Sequence, residues 1–276
     1  MSQRRYGEAL AAHHEARQTF EQIGESVSVG IAWHQIGIVH QETGHYDEAE
    51  KAYQAALRIE VQSGDRSGEA STLCQLGNLY DSNGRIEEAV RFYQHGATVY
   101  RELNNLAGEG RTYCNLADTL IELGRHDEAR REILRAIECD QPLGHAAEPW
   151  KTFRTLTKIE QAAGNMAAAS AARERAIGAY LAYRRDDGEN LSASAQFFGL
   201  VAQAIAENQI SASEPQLSQL QRNADLPAGL KALLPKLQAI LHGARDPSLA
   251  TDPDLDYDDA AELQLLLEHL ARGPKA

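Results

Sequence analysis

Four glycines recur at a spacing of 40 residues, each opening a closely similar hexapeptide: Gly44-His45-Tyr46-Asp47-Glu48-Ala49, Gly84-Arg85-Ile86-Glu87-Glu88-Ala89, Gly124-Arg125-His126-Asp127-Glu128-Ala129 and Gly164-Asn165-Met166-Ala167-Ala168-Ala169. A strict period with no insertion or deletion means one structural unit stacked on copies of itself. Each glycine follows an apolar stretch of 3.6-residue periodicity and precedes another, which is where a helix closes in a left-handed cap before a short turn starts the next. Each unit is therefore predicted to be a helical hairpin. In the second complete unit, Leu73, Leu76, Gly77, Tyr80, Gly84, Ile86, Ala89, Tyr93 and Gly96 set large residues on one helix against small residues on its partner.

These positions resemble the tetratricopeptide-repeat signature, in which a bulky residue, a Leu-Gly pair, an aromatic, a turn glycine, Ala, an aromatic and Ala follow in order. The first full unit matches with Trp33, Ile36-Gly37, His40, Gly44, Tyr46, Ala49, Tyr53 and Ala56, and the third with Tyr113, Leu116-Ala117, Leu120, Gly124, His126, Ala129, Ile133 and Ala136. The fourth is degenerate: Phe153, Leu156-Thr157, Glu160, Gly164, Ala169, Arg173 and Ala176. The ordinary unit is about 34 residues, so the surplus lengthens the helices, as in kinesin light chain, spindle-orientation scaffolds and large bacterial regulatory proteins. The resemblance implies an all-α, right-handed superhelix over residues 1–185, with a half repeat at 5–23 and full repeats near 25–63, 65–103, 105–143 and 145–185. Ser63-Gly64-Asp65-Arg66 and Leu103-Asn104-Asn105-Leu106 are turn-like and fit the inter-repeat loops.

Tyr6, Ala9, His13 and Ala16 match the second helix of a repeat whose first helix is absent. Either that lone helix caps the stack or the chain is a piece of a longer array; Leu10, Phe20 and Ile23 favour the piece, since solenoid caps are polar. After Tyr183 the period is lost, and residues 186–190 form a polar break suited to a linker. Residues 191–276 are expected to be a small helical bundle, with an amphipathic helix over Leu191 to Glu207 and a helix after Pro227 that Pro235 kinks. A last helix is expected over about Tyr257 to Ala271. The acidic run Asp252 to Asp259 is expected to be a solvated helix entry, since it lacks the glycine and distal glutamate of a calcium loop.

The net charge of -13 argues against general affinity for nucleic acid or an anionic membrane, both of which the mean surface field would repel. No apolar run is long enough to span a bilayer, and no signal-peptide core follows Met1, so a cytoplasmic location is expected. Cys74, Cys114 and Cys139 lack metal spacing and are expected to be reduced. His13-His14-Glu15 has no second histidine at metal spacing, and His34 and His40 diverge on their helix. No phosphate loop occurs. Neither a metal, a cofactor nor a catalytic set is expected, and the chain is read as no enzyme.

A stack of this kind lines its concave side with the first helix of every unit. There the sequence places Gln35, Gln75, Asn115 and Thr155 in one row, and Ile38, Asn78, Asp118 and Lys158 in the next. In the long-helix families that the chain resembles, amides at the first row bind the backbone of an extended peptide, each offering donor and acceptor. The candidate partner-binding set is His34, Gln35, Ile38, Gln75, Asn78, Arg111, Asn115, Asp118, Lys151, Arg154 and Lys158. Lys151, Arg154 and Lys158 form a basic stripe near Arg111, which would favour an acidic guest. The carboxylate clamp of chaperone-binding relatives is broken, because His34, Ile38 and Gln75 stand at its positions. A protein-binding scaffold, as the sensor arm of a larger bacterial protein, is the leading expectation; self-association through the N-terminal helix is the alternative.

Overall fold

The computed structural model describes residues 3–207, 209–222 and 226–272, and no strand occurs among them. Its helices are α1 (Gln3–Ile23), α2 (Ser26–Glu42), α3 (Tyr46–Ser63), α4 (Arg66–Ser82), α5 (Ile86–Glu102), α6 (Leu106–Glu122), α7 (His126–Asp140), α8 (Pro149–Ala162), α9 (Met166–Arg185), α10 (Ala195–Ala206), α11 (Ile210–Gln221), α12 (Ala228–Leu241) and α13 (Tyr257–Arg272). Short 3-10 segments cover Gln141–Ala147 and Pro247–Thr251.

The repeated glycine ends the first helix of each hairpin. Gly44, Gly84, Gly124 and Gly164 hold φ of 77°, 73°, 69° and 77°, where a Cβ would crowd the following carbonyl. The next amide then reaches back to close the cap: His45 to the His40 carbonyl, Arg85 to Tyr80, Arg125 to Leu120 and Asn165 to Glu160, all at 2.8–2.9 Å. A second left-handed series with the same period lies between units, at Gly24, Gly64, Asn104 and Gly144. After it, Asp65 and Asn105 cap α4 and α6 by accepting from the Gly68 and Gly108 amides.

The contacts sort the chain into two compact units. The first is Met1–Ala147 with Thr155–Ala169, and the second is Glu148–Arg154 with Ser170–Ala276. In the first, α2 packs on α3, α4 on α5 and α6 on α7, and each pair stacks on the next. The core holds Ile36, Tyr53, Leu73, Leu76, Tyr93, Leu116, Leu120 and Ile133. A Cβ at Gly37 or Gly77 would lie 2.6 Å from ring carbons of Tyr53 or Tyr93, so the phenol face takes the space of a side chain. The third hairpin makes the compensating exchange, Ala117 against Ile133, and both are fully buried.

The second unit has its own core of Phe198, Val201, Leu217, Leu233, Leu237, Ile240, Leu263 and Leu267. Trp150 and Tyr180 pack with Leu181 and Ala261 in a second cluster, so the contact boundary runs through α8 and α9, ahead of the helix-free segment that follows Arg185. Several expectations change here. The amphipathic helix starts at Ala195 and not at Leu191, because Asn190 Oδ1 accepts the Ser192 amide and the Tyr180 hydroxyl accepts that of Leu191. A further helix, α11, contains Pro215 and was not anticipated. Pro227 precedes α12 as its N-cap, and Pro235 sits within a continuous α12. The acidic run is not all solvated: Asp259 is 3% exposed, with Ser194 as hydrogen-bond partner. Burial, with Asp258 nearby, raises its pKa to about 7.

Candidate partner-binding face

The first helices of successive hairpins, α2, α4 and α6, also touch one another. Hydrogen bonds between them recur at nearly one repeat's separation. His34 Nδ1 lies 2.7 Å from Thr72 Oγ1, and Cys74 Sγ lies 3.2 Å from Thr112 Oγ1. Asn115 donates to Asn78 Oδ1 at 3.2 Å, and Thr119 donates to Asp81 at 2.9 Å. Thr155 reaches Asp118 Oδ2 at 3.4 Å within the same unit. These polar rungs fix one first helix against the next.

The first rung runs inward. Thr72 donates to Glu60 Oε1 at 2.9 Å, so it accepts from the His34 Nδ1–H. Glu60 is 2% exposed, and its Oε2 has no hydrogen-bond partner among the described residues. Burial raises its pKa to about 7 against the lowering effect of the Thr72 bond, with Asp65 and Glu69 adding to the rise. Burial also lowers the pKa of His34, keeping it neutral.

The predicted residues divide by what holds them. Gln35, Ile38, Gln75, Asn78, Asn115 and Asp118 are all half-buried. Asn78 is the most engaged: it donates to Gln75 Oε1 and accepts from both the Tyr93 hydroxyl at 2.7 Å and Asn115. Its amide is spent largely on the stack. Arg111 presents an exposed guanidinium on α6. Of the basic stripe, Lys158 pairs with Asp118 at 3.6 Å in the first unit. Lys151 and Arg154 belong to the second unit, where Lys151 donates to Glu148 at 2.6 Å. These carboxylates offset much of the positive charge on which an acidic guest would rest.

Ile38 and Gln75 line an open cavity of about 360 Å³ with Gln41 and Glu42 of α2, Tyr46 and Tyr53 of α3, and Ser82 of α4. The Tyr53 hydroxyl donates to Gln41 Oε1 at 2.8 Å, orienting that amide. Gln41, Glu42 and Tyr46 were missed from sequence because they fall at the hairpin turn, outside the two rows on the helix face. The signal for the rungs was present: Thr72 and Thr112 stand 40 residues apart.

A family model described as tetratricopeptide repeat matches residues 1–60, 28–102 and 68–141 in overlapping registers. The crystal structure of BtubC (BKLC) from P. vanneervenii is similar over 87% of this chain and 93% of its own, at 17% identity and a TM-score of 0.61. A Podosopora anserina protein with nearly identical TPR-like repeats, described as a kinesin light chain, is similar over 64% of this chain and 96% of its own, at 16% identity and a TM-score of 0.50. At such identities the likeness is one of fold. No curated protein matches the sequence.

Proposed function

This chain belongs to the tetratricopeptide-repeat family, and we propose that it is a non-enzymatic scaffold whose face on α2, α4 and α6 holds an extended segment of a partner protein. The observation that supports this is the row of half-buried amides, Gln35, Gln75 and Asn115, on three first helices held in register by the rungs between them. Extended backbone needs donors and acceptors to replace the water that it loses, and such a row supplies both. Its support as a bacterial sensor arm is the likeness of the 40-residue unit to regulatory arrays.

The test is partner capture with the wild-type chain and with a Gln35→Ala, Gln75→Ala, Arg111→Ala variant. Asn78 stays, because its loss would strand the Tyr93 hydroxyl. Recovery of the same proteins in the same amounts by both would end this proposal.

A second reading, self-association, is supported by exposed apolar residues where α1 meets α2: Ile23, Val27 and Ile31 are 64%, 41% and 51% exposed. Sedimentation velocity separates the two, since a monomer at every concentration up to roughly 100 μM would remove self-association at Kd values in the micromolar range.

A further inference from the structure

We propose that the cavity between α2, α3 and α4 is a subsite for a single cationic side chain, Lys or Arg, of the bound segment. This rests on the peptide-holding face proposed above and names its chemistry at one point.

The walls suit the two parts of such a side chain. Ile38 and the rings of Tyr46 and Tyr53 give apolar surface for a methylene stem, which Lys and Arg bury readily while their heads stay in polar surroundings. At the mouth stands Glu42, exposed and with no ion pair among the described residues. Gln41 and Gln75 add amide oxygens, each positioned by a neighbour: Gln41 by the Tyr53 hydroxyl, Gln75 by Asn78. An ammonium or guanidinium carries donors only and would complement these acceptors, and a ring face adds attraction for the cation. No cationic residue lines this cavity. A volume of about 360 Å³ accommodates one long side chain with room for its hydration.

The surrounding charge has the same sign. Asp81, Asp118 and Glu122, further along the face, lie close enough to Tyr93 to add to the rise that burial gives its phenol. Lys158 offsets Asp118 alone. A cationic guest is therefore favoured on approach and again at Glu42. An aliphatic guest would leave Glu42 unanswered, and an acidic one would be repelled by it.

The experiment titrates the intact chain with blocked heptapeptides of glycine, serine and one leucine, each with a single test residue: Arg, Lys, citrulline, norleucine or Glu. Binding is read by chemical-shift perturbation. The Arg and Lys peptides are expected to bind about tenfold more tightly than the citrulline and norleucine peptides, about 1.4 kcal/mol, and the Glu peptide most weakly. Glu42→Gln should erase that preference, while Glu138→Gln, at an exposed position on α7, should preserve it. Raising the salt should weaken the Arg peptide and leave citrulline unchanged. Equal binding of Arg and citrulline, unchanged preference in Glu42→Gln, or no binding of the Arg peptide at millimolar concentration overturns the proposal. Charge-blind binding would sink this subsite and leave the wider face intact. Failure of the wider face would instead show as undiminished partner capture by the triple variant.

Discussion

Glu60 is a carboxyl sealed between α3 and α4 with one oxygen bonded and the other bare. Its pKa, about 7 in the folded chain, lies above that of an exposed glutamate, so the folded state holds the proton more tightly than the unfolded one. Stability from this group is complete below the unfolded value of about 4.5 and is lost as pH rises through about 7. Glu60→Gln keeps the Thr72 bond without the charge. Urea melts should show the variant gaining on wild type between pH 5 and pH 8, by roughly 2–3 kcal/mol; a constant difference across that range would refute the assignment. Glycine gives a second test with two signs. Gly77→Ala places a methyl group against the Tyr93 ring and should cost about 1–3 kcal/mol by overpacking. Gly178→Ala, on α9 with nothing within 4 Å of the added methyl, should gain about 0.5–1 kcal/mol from helix propensity. Both are measured by thermal melts.

Between elements, the same bond types recur where sequence offers the same residues. Arg130 of α7 forms a two-pronged pair with Glu160 of α8 at 2.6 and 2.9 Å, and Glu160 is only 6% exposed. The Arg130 bond, with help from Asn165, holds the Glu160 carboxyl below its ordinary pKa. This stabilisation is present above the unfolded value and lost as pH falls through the folded one. Arg130→Met should cost about 2–4 kcal/mol at pH 7, because it leaves a buried charge with Asn165 alone. The deficit should shrink at pH 4 and below as Glu160 takes up a proton. A loss independent of pH would mean that the arginine acts through its methylene packing. The helices themselves were legible in advance: the turn glycines and the 3.6-residue pattern located the first three hairpins. The boundaries of α10 and α11 were not, since they depend on Asn190 and Tyr180 hydrogen bonds to backbone that no local pattern announces.

At the scale of the molecule, a stack of hairpins draws its stability from neighbours, so position in the stack sets local stability. Within the first unit α1 packs mainly on α2, whereas α4 is flanked by α3, α5 and the other first helices. Hydrogen exchange should therefore find the amides of α1 exchanging at least about tenfold faster than those of α4 and α5. Equal protection would mean that α1 has a further partner, and slowing with rising concentration would identify it as a second copy. The sequence by itself determined the solenoid, because a 40-residue period of glycine, small and aromatic positions has one economical folding solution, hairpins stacked in register. It also placed Gln35, Gln75 and Asn115 on one row, since that follows from period alone. Only the tertiary structure decided which amides the stack consumes, that Lys158 is paired with Asp118, and that Tyr46, Tyr53 and Glu42 enclose a cavity with Gln75. Those facts depend on side chains brought together from different helices, and distances between helices are set by packing of the whole core, which no periodicity encodes.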